Sequence, residues 1–202
     1  MRNQLLATLA NSIDNFTLIT GKIISWFTLF MVLITFLIVV LRYGFNIGWI
    51  AMQESVLYMH GLVFLLGAAY TLKEGSHVRI DVFYQKYSIK TKALVDLLGT
   101  FFLLIPVCVF IFYISFNYVS VSWRIMETSA QPGGLPFVYI SKTFLLIFSI
   151  TLILQGFSEI IKNSLIYLYG ESEILLKTNT ALATENMINT TVISNTAIKS
   201  TK

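Results

Sequence analysis

The chain has 202 residues, of which 56% are hydrophobic and 12% charged, about half the charge of an ordinary soluble domain. That balance excludes a water-soluble globular core, and apolar runs of about 20 residues exclude a lipid-spanning barrel, whose strands alternate over about 10. The net charge of +4 does not define a nucleic-acid surface, because the basic residues gather beside the apolar runs, where membrane topology accounts for them.

Over residues 1–22, Leu5, Leu9, Ile13 and Phe16 recur at helical spacing, with Asn3, Gln4, Asn11, Ser12, Asp14 and Asn15 on the remaining surface. This predicts an amphipathic helix at the membrane interface. A frayed extension of the first span is the alternative. No cleavable signal peptide is expected: residues 1–22 lack a continuous apolar core, and no small-residue cleavage site follows the first long run.

The four-span membrane domain is assigned to residues 23–162. The first span, residues 23–41, is uncharged and closes on Arg42 and Tyr43, both suited to the headgroup zone. The second, residues 49–72, contains Gln53, Glu54 and His60. Glu54 lies five residues past Trp49, about 7–8 Å along the axis, a depth at which ionisable groups face protein or water. Gly61 and Ala68 follow on the same stripe and leave room for a partner helix. The third span, residues 93–120, exceeds the bilayer's need and carries Pro106, which predicts a kink. Cys108, the single cysteine, sits inside it as a packing residue, so neither an intramolecular disulfide nor a cysteine-based metal site is available. A turn over residues 131–136, Gln-Pro-Gly-Gly-Leu-Pro, leads to the fourth span, which starts near residue 138 or 143 and ends at 161. Residues 163–202 are assigned to a cytoplasmic, largely disordered tail, Thr- and Asn-rich beyond 171.

Charge sets the orientation. The loop over residues 73–92 holds Lys73, Arg79, Lys86, Lys90 and Lys92, whereas the other two connections hold only Arg42, and Arg124 with Lys142. By the positive-inside rule the loaded loop is cytoplasmic, and an even number of spans puts both termini on that side. The predicted fold class is therefore all-α: an integral membrane protein with four transmembrane helices, an N-terminal interfacial helix and both ends cytoplasmic.

Few membrane chemistries fit. Paired axial histidines for haem are lacking, since the chain has only His60 and His77, and the latter falls in the cytoplasmic loop. No nucleophile triad, phosphate loop or paired-carboxylate signature is visible, so neither an enzyme nor a resident cofactor is expected. A small drug–proton exchanger, with four helices and one embedded glutamate, is the rival; the shallow position of Glu54, the long basic loop and the extra length speak against it. For Glu54 the plain expectation is a tertiary or inter-subunit hydrogen bond, with Arg42 as a candidate partner. For His60 it is helix packing.

In order, Arg42-Tyr43, Trp49, Gln53-Glu54, residues 64–69 (Phe-Leu-Leu-Gly-Ala-Ala) and residues 75–81 (Gly-Ser-His-Val-Arg-Ile-Asp) resemble the small membrane subunit of TRAP transporters, the DctQ type. Residues 127–129 (Glu-Thr-Ser) with 132–136 (Pro-Gly-Gly-Leu-Pro) are similar to one branch of it. The resemblance covers residues 23–162. It implies a bacterial inner-membrane complex with a large membrane subunit and a periplasmic substrate-binding protein, driven by an ion gradient, usually sodium, and importing an organic acid. In such a complex this chain is a static scaffold among membrane lipids. The resemblance assigns Glu54, Gly61, Ala68, His77, Arg79 and Asp81 to the subunit interface. It assigns Arg42, Glu127, Ser129, Pro132, Gly133 and Gly134 to outer-face docking. The alternative is a self-sufficient oligomeric carrier or channel using Glu54.

Overall fold

The structure, a computed structural model, describes residues 2–75 and 87–170. The described residues are helical apart from turns and connections, in the order α1 (Arg2–Phe45), α2 (Ile50–Lys73), α3 (Ile89–Gly99), a π-helical stretch (Thr100–Leu104), α4 (Ile105–Arg124) and α5 (Val138–Tyr169). The α3, π and α4 segments form one continuous helical passage, so four helices are long and apolar enough to cross a membrane.

The helices outrun the apolar stretches read from sequence, because backbone hydrogen bonding continues wherever nothing interrupts it, whereas hydropathy marks only the lipid-matched part. α1 is unbroken for 44 residues, about 66 Å against a hydrocarbon thickness of about 30 Å. The N-terminal segment is thus no separate element but the first turns of the same helix. Likewise α5 passes through Asn163, which is buried, to Tyr169, so the first residues of the expected tail are helix. Gly170, at φ 78°, ends it. The rest of that tail lies outside the described residues, as do His77, Arg79 and Asp81. The irregularity expected at Pro106 takes the form of the π stretch just before it. Proline has no N–H and its ring crowds the carbonyl four residues back, which a locally wider helix relieves.

α1 and α2 form an antiparallel hairpin through residues 46–49, and α5 is the hub, packing against α1, α2, α3 and α4. Close approach is set by glycines. A Cβ on Gly21 would lie 2.5 Å from the Tyr70 ring of α2, and one on Gly156 of α5 would lie 2.7 Å from Leu104 in the π stretch. Ala69, Cys108 and Leu152 form a small central cluster joining α2, α4 and α5.

Burial is inverted relative to a soluble protein. The largest fully buried side chains are Gln155, Ser122, Ser149 and Ser158, while Phe36, Phe102, Phe110 and Phe64 are exposed. In lipid the apolar surface needs no cover and polar groups do, so a bundle buries small and polar residues and exposes a belt of large apolar ones.

Candidate functional site

Two knots of polar side chains fasten the bundle, one at each end. At the end carrying the α4–α5 loop, α4 terminates in a Schellman motif. The Glu127 N–H donates to the Ser122 carbonyl (3.0 Å) and the Met126 N–H to that of Trp123 (3.2 Å), with Met126 at φ 46°. The reversal brings the Glu127 carboxylate onto the Ser122 hydroxyl (2.6 Å) and the Lys142 ammonium (2.5 Å). Lys142 also lies 4.0 Å above the Tyr118 ring. Lys142 and Ser122 donate to Glu127 and hold its carboxyl below the usual range. Trp123 donates from Nε1 to Thr143 (2.8 Å), tying α4 to α5 a second time.

The rest of this loop hangs on Glu54. Its Oε2 accepts from the Leu135 N–H (2.6 Å) and its Oε1 from the Ser129 hydroxyl. Ser129 Oγ in turn accepts from the Gln131 N–H (3.1 Å), and the Ser129 N–H donates to the Leu135 carbonyl (3.1 Å). The glycines serve different ends. Gly133 adopts φ 79°, a left-handed conformation, whereas a Cβ on Gly134 would meet Ser129 Oγ at 2.5 Å and Glu54 Oε2 at 2.7 Å. Pro132 and Gly133 are left exposed at the tip.

Glu54 therefore bonds to the far loop rather than to Arg42. Arg42 is exposed at the end of α1, while Glu54 sits one turn inside α2 on the side facing the loop. The structure thus brings Glu54, Ser129 and Gly134 together, and joins Glu127 to Lys142 beside them. Along the α2 stripe, Ala68 packs against the central cluster, and Gly61 has open space where a side chain would point. Tyr58, one turn beyond Glu54, has a buried hydroxyl with no hydrogen-bond partner among the described residues.

The second knot lies at the end where α1 begins and α5 finishes. Asp14 of α1 accepts at Oδ1 from Gln155 Nε2 (3.0 Å) and Ser158 Oγ (2.8 Å), and at Oδ2 meets Lys162 Nζ (2.6 Å). Lys162 reaches Glu159 as well (3.0 Å), and Thr17 donates to Gln155 Oε1 (2.7 Å). Gln155 and Ser158 are fully buried. The signal was present in the sequence: Gln155, Ser158, Glu159 and Lys162 stand at i, i+3, i+4 and i+7 of one helix face, and Thr17 follows Asp14 at i+3. An apolar-run reading that stops at residue 161 cuts this face in two.

Among the described residues no group of His, Cys, Asp and Glu could hold a metal ion. Within the two knots the polar groups satisfy one another, an arrangement that fixes a shape.

A helical bundle with an exposed apolar belt and paired polar groups at both ends defines a multi-pass α-helical membrane protein. Residues 31–164, more than half of the chain, match the family described as tripartite ATP-independent periplasmic transporters, DctQ component. The chain belongs to that family, a family of transporter components and not of enzymes. No curated protein and no solved structure matches it.

Proposed function

We propose that the chain is the small permease subunit of a TRAP transporter in a bacterial inner membrane, a fixed scaffold for the large membrane subunit. On this reading it also offers its loop end to the periplasmic substrate-binding protein during ion-driven, sodium-coupled uptake of an organic acid. The end with the termini is cytoplasmic, in accord with the concentration of Lys and Arg there. The observation that carries the reading is Glu54. It is the one carboxylate within α2, and both its oxygens are engaged in holding the 129–135 loop. A coupling carboxylate must exchange its ligand in each cycle; this one is a structural clamp. That favours the scaffold over a self-sufficient carrier.

The clamped loop presents Pro132 and Gly133 at its tip, with Glu127, Ser129 and Gly134 behind them shaping it, and Arg42 ends α1 at the same end of the bundle. We assign these six residues to docking of the binding protein. Gly61, together with His77, Arg79 and Asp81 in the cytoplasmic connector, is assigned to the large subunit, with Glu54 and Ala68 supporting that helix from within.

The test is uptake of labelled organic acids (a C4-dicarboxylate, a 2-oxo acid and a sialic acid) by cells making the binding protein and large subunit, with or without this chain. Uptake of one acid only when all three are present supports the reading. Flux driven by this chain alone overturns it.

A further inference from the structure

We propose that the exposed face of α2, formed by Gln53, Leu57, His60 and Phe64, is the seam at which the chain binds a transmembrane helix of the large membrane subunit. That helix presents a hydrogen-bonding side chain near mid-span. The inference rests on the scaffold reading above and adds to it the surface and the partner's chemistry. The four residues stand at i, i+4, i+7 and i+11, one stripe of the helix, and all are exposed, Leu57 at 65% and Phe64 at 73%.

The polarity of the stripe says what covers it. His60 lies about 15 Å into a 24-residue helix, close to the bilayer centre, and its ring stacks along the face over Phe64 at 6.4 Å. Neither His60 nor Gln53 makes a side-chain hydrogen bond to another described residue. Lipid tails offer no donor or acceptor, so His60 needs protein opposite it, and Gln53 extends the same polar stripe toward the helix start. The exposed side chains of α4 are the contrast: Val109, Phe110, Ile114 and Phe116 suit lipid as they stand.

Shape agrees with polarity. A Cβ at Gly61 or Gly67 would meet nothing within 4 Å, so a second backbone can come close beside the stripe. The face continues into a groove of about 470 Å³ between α1 and α2, bordered by Met31, Thr35 and Phe36 with Leu57 and His60. A two-fold seam between copies of this chain would set His60 against His60 and Gln53 against Gln53. The tripartite family supplies a different chain.

The experiment places the photocrosslinker benzoylphenylalanine at Leu57 or Phe64, and in parallel at Phe110 or Phe116, in the assembled complex in native membranes. The two α2 positions are expected to crosslink one large polytopic protein, and the α4 positions are not. Gln53→Leu with His60→Leu is expected to lower partner retention on the order of tenfold, as for one or two interhelical hydrogen bonds, while the thermal stability of the isolated chain holds. Crosslinks to that partner from α4 alone, or from α2 only to lipid or a second copy, overturn the seam while leaving the scaffold reading standing. Recovery of the wild-type chain with no large partner overturns both.

Discussion

The two polar knots solve different problems with the same chemical group. Glu54 and Glu127 bind the α4–α5 loop to α2 and to its own flanking helices, through a backbone N–H and hydroxyls as well as Lys142. Asp14 binds one helix to another across 141 residues of chain, through a buried amide, a hydroxyl and Lys162. The first shapes a surface; the second locks the order of the bundle. Loss of the first should therefore be felt locally and loss of the second globally, and the comparison can be broken at either end.

The largest effect is expected at Asp14. Asp14→Ala removes the acceptor that Lys162, Gln155 and Ser158 share, leaving Lys162 only Glu159 and Ser158 only the Ala10 carbonyl, and should cost about 3 kcal/mol, read as a fall in the thermal midpoint in detergent. Asp14→Asn should recover most of that loss, because its amide oxygen still accepts from Gln155 and Ser158 while Lys162 keeps its pairing with Glu159. Next is Glu54→Ala, which frees the Leu135 N–H and the Ser129 hydroxyl. We expect about 2 kcal/mol, with faster hydrogen exchange confined to residues 129–135 and unchanged protection around Asp14. If protection falls equally at both ends, the division between local and global knots is wrong.

Gly134→Ala sharpens the comparison by leaving every polar group in place. Its Cβ must push Ser129 or Glu54 aside, so a loss of about 1–2 kcal/mol with the same loop-confined exchange pattern is expected. The smallest effect concerns pH. Lys142 and Ser122 depress the Glu127 carboxyl below its ordinary 4.5. The stabilisation is therefore complete above that value and fades as pH falls through the depressed one. A melting series from pH 7 to pH 3 should show Glu127→Gln flattening part of the acid decline, with little change at pH 7 beyond the lost ion pair.

Legibility in the sequence followed the range of the interaction. The four spans and the turn at Gly133 follow from local pattern, and the structure holds them. That Glu54 is held by hydrogen bonds was readable from its depth. Its partners were not, because Ser129 and Leu135 lie more than 70 residues away and no periodicity links them. Arg42, near in sequence, was the wrong guess for that reason. The Asp14 knot was missed because each half looks ordinary alone: Asp14 is one polar residue in an amphipathic stretch, and Lys162 reads as the boundary of a span. Only the meeting of α1 and α5 makes them a site.

The most direct test of the central claim is a mild-detergent pull-down from native membranes with a tag on the C-terminal tail, with co-purifying chains identified by mass. The scaffold account predicts a large polytopic membrane protein recovered at a fixed stoichiometry. Recovery of this chain alone or as a homo-oligomer would contradict it and return Glu54 to candidacy as an ion-coupling residue.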